Sequence, residues 1–349
     1  MVTKTGIVRH KRYLEHWMGE YHPESPKRLA AIYAMLDEPA MAGKFAEVPV
    51  APAEKKDIMQ VHSAGYVERI ESTAGVRCTY LDPDTQACAA SYDAAMLAAG
   101  GFCRSITMVH SGELNNSFAL VRPPGHHAER DQARGFCLFN NVAVGARYAQ
   151  NVLGLNRILI VDWDLHHGNG TQHSFEEDPS VLYFSTHQYP YYPGTGASEE
   201  VGRGKGKGFT VNVPLTIGHG DGEFITIYEE LLRPIALDYR PELILVSAGF
   251  DTYYGDPLGG MNVTPKGFAG LTRVLMEIAD ACCDGKLVLT LEGGYNVQGE
   301  RDSVREVLKE LASLSVTNAR DLMALANPDM VDSALAKVKT IQSAYWKNL

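Results

Sequence analysis

Short apolar, β-branched runs alternate along the chain with longer stretches in which apolar positions recur at helical spacing. The runs predict strands at 5–9, 117–121, 157–163, 181–185, 209–213, 243–248 and 286–291. The longer stretches predict helices near 26–37, 64–73, 86–109, 140–153, 222–238, 265–283 and 299–313. Strands that read as near-continuous apolar runs are buried on both faces. This order therefore predicts an α/β fold, a parallel sheet sandwiched by helices. No internal repeat, low-complexity segment or long linker interrupts the pattern. One domain is expected over 1–349, with a core at about 22–313 and a helical extension at 314–349 that holds one amphipathic helix at 328–347.

Composition narrows the class. A hydrophobic fraction of 45% in 349 residues suits a globular protein with a sizeable core. No apolar run reaches the ~20 residues that span a bilayer, so no membrane partner is expected. The basic residues near the start precede no apolar stretch, which argues against a secretory signal and for a cytoplasmic protein. The six cysteines form no C-x-x-C pair and no disulfide framework, so reduced, mostly buried thiols are expected. A formal net charge of −10 argues against direct nucleic-acid binding and suits polycationic substrates. The oligomeric state is open, a homo-oligomer included.

The chain carries no G-x-x-x-x-G-K-[ST] phosphate loop, no G-x-S-x-G elbow and no H-E-x-x-H helix. GRGKGKG at 202–208 has the wrong spacing for a phosphate cradle and reads as an exposed turn. In open parallel sheets, ligands bind beyond the carboxyl ends of the strands. Five predicted strand ends here carry polar or glycine-rich sequence: RPPGHHA with His126 and His127, DWDLHHGNG with Asp162, Asp164, His166, His167 and Asn169, THQYPYYPGTG with His187 and Tyr192, GFDTYYGDP with Asp251 and Asp256, and EGGYN with Tyr295.

Asp164 and His166 lie two apart, so on an extended chain both point the same way. One further carboxylate, Asp251, would complete an Asp-His-Asp metal site with an open position. A set so rich in carboxylates also suits divalent ions harder than zinc. His126 and His127 sit in a loop fixed by Pro-Pro-Gly and suit the acid and base of a hydrolysis, with Asp162 and Asn169 available to orient them. A charged Asp and a neutral Asn would give two histidines of different basicity. Tyr295 follows two glycines and can donate to a developing oxyanion.

Taken together, HPESPKR at 22–28, VHSAGYV at 61–67, RPPGHHA, GFCLFNN at 135–141, DWDLHHGNGTQ, PGTG, SAGFDTYYGDPLGGM and LEGGYN resemble the histone deacetylase superfamily over about 22–300, closer to its class II branch and bacterial relatives. The resemblance implies the arginase/deacetylase fold with an eight-stranded parallel sheet. It also implies a metal-dependent hydrolase of linear amides, with one zinc per chain on Asp164, His166 and Asp251, replaceable by Fe2+ or Co2+. Polarised water would attack the acyl carbonyl, His127 would serve as general acid and base, His126 paired to Asp162 would act mainly electrostatically, and Tyr295 would hold the oxyanion. Gly135, Phe136, Tyr192 and Leu258 would contact substrate, with Phe136 and Tyr192 gripping the lysine stem. Potassium is implied at the backbones of Asp162, Asp164 and His166 with the Ser185 hydroxyl, and at a second set around Phe175, Asp178, Val181 and Phe209. Arg28 matches a residue lining an acetate exit channel. Acetylpolyamine-specific relatives place a glutamate where this chain has Leu258. That difference favours acylated lysine in peptides or proteins over acetylated polyamines. A non-catalytic acyl-lysine binder and the dinuclear manganese chemistry of arginases rank lower, since the ligands and Tyr295 are present while Tyr253 and Asn169 supply no extra carboxylate.

Overall fold

The structure, a computed structural model, describes residues 4–349, so the first three positions of the 1–349 span fall outside it. Among the described residues there are ten strands: β1 Thr5–Val8, β2 Ala46–Glu47, β3 Thr79–Asp82, β4 Thr85–Ala87, β5 Asn116–Ala119, β6 Ile158–Asp162, β7 Val181–Gln188, β8 Thr210–Leu215, β9 Leu243–Ala248 and β10 Leu287–Leu291. Eight of them form one sheet in the order β2-β1-β5-β10-β9-β6-β7-β8, every pairing parallel. The chain builds the β1 side, crosses to lay down β6, β7 and β8, then returns to fill the gap with β9 and β10. This return places the carboxyl ends of β5, β10, β9, β6 and β7 side by side, with Asp162 in register with Ser247 and Ser185. Strands β5, β6, β9 and β10 are buried at every residue.

Twelve α-helices among the described residues surround the sheet: α1 Pro26–Leu36, α2 Lys55–Ile58, α3 Ala64–Glu71, α4 Ser91–His110, α5 Asn141–Asn151, α6 Asn169–Phe175, α7 Asp221–Ile227, α8 Arg233–Tyr239, α9 Pro265–Cys283, α10 Val297–Leu311, α11 Ala319–Met323 and α12 Pro328–Gln342. Their starts follow local chemistry. Ser63, Asn140, Thr264, Asn296 and Asn327 accept from backbone N–H groups of the first turn, and proline opens α1, α9 and α12, where its missing N–H costs nothing. Helix α12 lies against β8, where Gln342 donates to the Thr210 carbonyl and Trp346 to that of Gly208.

Four expectations about the elements, the cysteines and the 202–208 turn need correction. The stretch 222–238 is not one helix: α7 and α8 are joined by a wide π-type turn over Tyr228–Leu232. Pro234 lacks the N–H that an unbroken helix would bond back, and its ring crowds the carbonyl four residues earlier. The helix expected from 86 begins only at Ser91, because Thr85–Ala87 pairs with Thr79–Asp82 across a Pro83 turn as an antiparallel hairpin. The third correction is to the cysteines, which are all free but only half buried as a set: Cys103, Cys137 and Cys283 are buried, Cys88 and Cys282 intermediate, Cys78 exposed. Finally, the turn at 202–208 is exposed only in part, since Gly206 and Gly208 are buried.

Candidate active site

The end of β6 sets the centre. Asp162 is the last strand residue; beyond it the chain leaves the extended conformation, so Asp164 and His166 do not converge by strand alternation as expected. Their backbone curls instead. The Asp164 N–H donates to Asp162 Oδ1 at 3.2 Å and the His166 N–H to Asp164 Oδ1 at 2.9 Å, which turns both side chains inward. Asp251, at the end of β9, meets them: His166 Nδ1 lies 3.0 Å from Asp251 Oδ2 and 3.2 Å from Asp164 Oδ1.

These three offer ligand atoms within 4.8 Å of one another, all buried. Each carboxylate is also held by a backbone donor, Asp164 Oδ2 by Gly293 N at 2.8 Å and Asp251 Oδ1 by Leu165 N at 2.8 Å. The packing leaves no room for a side chain there: a Cβ on Gly249 would sit 2.0 Å from Asp164 Oδ2, and one on Gly293 2.4 Å from Asp251 Oδ2. Burial and then the facing Asp164 push the Asp251 carboxyl up to about 7. Burial opposes charge on His166 as well, but the two carboxylates outweigh it and raise the ring to about 9. Two carboxylates crowded around one ring are short of positive charge, which a single divalent cation supplies better than a shared proton. The donor set therefore fits a metal.

His126 and His127 follow β5, their rings tilted against each other with centroids 4.0 Å apart. Their orienting partners differ. His126 Nδ1 is 3.0 Å from Asp162 Oδ2, which also accepts from the Tyr183 hydroxyl at 3.1 Å. His127 Nδ1 donates to Asn169 Oδ1 at 2.7 Å, and the Asn169 amide in turn donates to Glu129. Burial disfavours charge on both rings. Asp164 and Asp162 overcome it at His126 and raise that ring to about 10, whereas at His127 burial is reinforced by His126 and His166 and the pKa falls well below its usual value. The pair thus combines a cationic imidazole with a neutral one.

Tyr295 completes the rim. Its N–H donates to Asp256 Oδ2 at 2.6 Å and its ring stands edge-on to Phe136 at 5.7 Å. Burial raises its phenol well above the usual value, so it stays protonated and able to donate. A cavity of about 200 Å³ opens onto this floor, lined by His127, Gly135, Phe136, His166, Tyr192, Leu258 and Tyr295, all named from the sequence, together with Asp84 and Tyr191. Gly135 and Phe136 both take left-handed backbone, at φ 52° and 70°. A Cβ at 135 would lie 2.3 Å from His127 Cδ2, and the strained Phe136 is held by its N–H on Thr85 Oγ1 at 3.0 Å and by the edge of His22 at 4.6 Å. Tyr192 stands edge-on to His127 at 5.0 Å, and Tyr191 stacks on His166 at 5.7 Å.

The remaining expected positions are placed as follows. Arg28 is fully buried and does not line the cavity. It donates to Glu300, Glu24 and the carbonyls of Glu292 and Gly294, and its guanidinium lies 5.1 Å from the Tyr295 ring centroid. Ser185 lies beside Asp162 and bonds His187 Nδ1 at 2.9 Å. Around the second cation set, the Phe175, Asp178 and Phe209 carbonyls already accept backbone N–H groups from Asp178, Val181 and Tyr183, which leaves a second lone pair each. The sequence reading missed Glu292, whose Oε2 accepts from Gly125 N at 2.6 Å and His126 N at 3.1 Å, so it holds the backbone that carries the histidine pair. Its signal was a lone acid closing a continuous apolar strand, LVLTLE.

Residues 22–311 match the family model described as the histone deacetylase domain. The chain is 38% identical to a probable deacetylase of Archaeoglobus fulgidus over 98% of its own length and 99% of that protein's. It is 42% identical to histone deacetylase 15 of Arabidopsis thaliana and 40% identical to polyamine deacetylase HDAC10 of Danio rerio, covering 59% and 49% of their lengths. The chain thus spans nearly all of the archaeal relative and about half of the other two. Among solved structures, that of the HDA15 HD domain matches with a TM-score of 0.92 at 39% identity, covering 99% of this chain and 96% of that one.

Proposed function

We propose, starting from a chain that belongs to the histone deacetylase family and is a hydrolase acting on amides, that it removes acetyl or other acyl groups from the side-chain amine of lysine in peptides or proteins, using one zinc ion. The observation that carries this reading is the meeting of Asp164, His166 and Asp251, with His126 beside them, next to one cavity that His127, His166, Tyr295 and the rings of Phe136 and Tyr192 line. Asp164, His166 and Asp251 would hold the ion, which when bound supplies Lewis acidity toward a carbonyl and a water. The chain's own groups do the rest. Asn169 fixes the His127 Nδ1 proton, so Nε2 keeps its lone pair to accept a proton from the attacking water. His126, charged and tied to Asp162, steadies the negative charge that develops nearby. Tyr295 donates to the acyl oxygen as it becomes an oxyanion, and the proton on His127 passes to the departing amine. Phe136 and Tyr192 enclose the apolar stem.

A second reading, an acetylpolyamine deacetylase, draws on the names of two relatives and on Asp84, a carboxylate that lines the cavity and suits an ammonium. Leu258, apolar in the same lining, supports lysine instead. Paired kcat/KM measurements on an acetyl-lysine peptide and on acetylputrescine test the choice. A preference for the peptide is expected, and one for acetylputrescine would reverse the ranking. Potassium at the two carbonyl sets stays part of the proposal, with Fe2+ or Co2+ as substitutes for zinc. No helix among the described residues is long and apolar enough to cross a membrane. The six free cysteines suit a reducing compartment such as the cytoplasm.

A further inference from the structure

His127 is held by a side-chain amide, and an amide can be held two ways round, since its oxygen accepts and its NH2 donates. With the oxygen toward His127, Nδ1 carries the ring proton and Nε2 keeps its lone pair. With the NH2 toward it, Nδ1 accepts, the proton sits on Nε2, and that nitrogen can take nothing from a water. The way Asn169 faces therefore decides whether His127 can act as a base.

Glu129, two residues past His127, sets that direction. Its carboxylate accepts from the Asn169 amide nitrogen, and from His173 Nδ1 at 2.9 and 3.0 Å to its two oxygens. A carboxylate only accepts, so the Asn169 NH2 faces Glu129 and the Asn169 oxygen faces His127 Nδ1, at 2.7 Å. The same NH2 has only a longer, neutral contact besides, to the His127 carbonyl at 3.3 Å. Burial disfavours charge on Glu129, but His173 and then Asn169 outweigh it and hold the carboxyl below its usual value. The backbones are fixed as well. The Glu129 N–H donates to the Gln132 carbonyl at 2.9 Å, and the Glu129 carbonyl accepts from His62 Nδ1 at 2.8 Å. Asn169 opens α6 hard against the histidine loop, where a Cβ on Gly170 would lie 2.2 Å from the Ala128 oxygen. Asn169 and His173 stand four apart on α6 and so share one face, which Glu129 bridges. His173 is exposed, and with Glu129 it lines a cavity of about 220 Å³ that shares no residue with the catalytic one.

We propose that Glu129, held by His173, is a positioning residue for His127: through Asn169 it keeps the ring proton on Nδ1 and the Nε2 lone pair free for the attacking water. This role rests on the reading of His127 as the proton acceptor. Glu129 touches neither substrate nor metal ligand; it acts only by fixing which end of the Asn169 amide the imidazole meets.

The test uses the zinc-loaded full chain labelled with 15N-histidine. Long-range 1H–15N NMR reads which ring nitrogen of His127 carries the proton, with the signal assigned by its loss in His127→Ala. The wild-type ring is expected to be protonated on Nδ1. In Glu129→Gln the new amide can donate or accept, so it no longer dictates how Asn169 turns, and a form protonated on Nε2 is expected to appear. On an acetyl-lysine peptide kcat should fall about 10- to 100-fold with KM unchanged, the usual cost of losing a group that orients a functional histidine. His173→Ala should shift the proton the same way, with a loss in kcat of about threefold. A wild-type His127 protonated on Nε2, or a Glu129→Gln ring protonated as in the wild type, would overturn the proposal. Should Glu129→Gln fail to fold, the wild-type ring and the exposed His173→Ala decide, and no shift in the latter would overturn it. A shifted proton with kcat unchanged would uphold the placement and overturn the reading of His127 as the base, so the two failures are distinct.

Discussion

The floor and the walls of the cavity are built on different principles. The floor hangs from the ends of adjacent parallel strands, its candidate ligand residues are all buried, and the carboxylates of Asp164 and Asp251 are each held by a backbone N–H. The walls come from loops and a hairpin, are partly exposed, and are joined mostly by aromatic edges and by single hydrogen bonds such as Phe136 N to Thr85. A floor so constrained keeps one chemistry, while walls so lightly held can change what reaches it.

Substitutions should separate the two regions by size and by kinetic constant. His127→Ala, at the floor, is expected to lower kcat by about 10²–10⁴, the range for losing a general acid–base group, with metal content unchanged. A loss under tenfold would remove His127 from that role. Tyr295→Phe should cost about 10²–10³ in kcat, as losing one oxyanion donor does elsewhere, with little change in KM. In the walls, Leu258→Glu should shift the kcat/KM ratio toward acetylputrescine by about tenfold, or ~1.4 kcal/mol. An unmoved ratio would show that this position does not read the substrate's charge. Smallest of all, Tyr192→Phe removes a buried hydroxyl that has no partner. It should leave kcat within about threefold and raise stability by ~1 kcal/mol in denaturant unfolding.

The same division governs what the sequence reveals. Fully buried parallel strands read as largely apolar runs, so β6, β9 and β10, and β5 through the FALV at 118–121, were legible together with the polar residues just past them. The two-residue edge strand β2 carries too few side chains to form a pattern. Hairpin β3–β4 was hidden because Thr85–Ala87 runs directly into a strong helical stretch, and with it went Asp84, which reaches the cavity from outside the strand ends. Tyr191 was not named from the sequence, yet it lines the cavity beside Tyr192. Roles that depend on backbone donors, such as Asp256 holding the Tyr295 N–H, exist only once distant loops meet.

Metal analysis of the purified chain, paired with an anomalous-scattering map at the zinc edge, tests the central claim most directly. One zinc per chain between Asp164, His166 and Asp251 is predicted, lost in Asp251→Asn while the fold is retained. Two metals per chain, a peak elsewhere, or full occupancy in Asp251→Asn would contradict it.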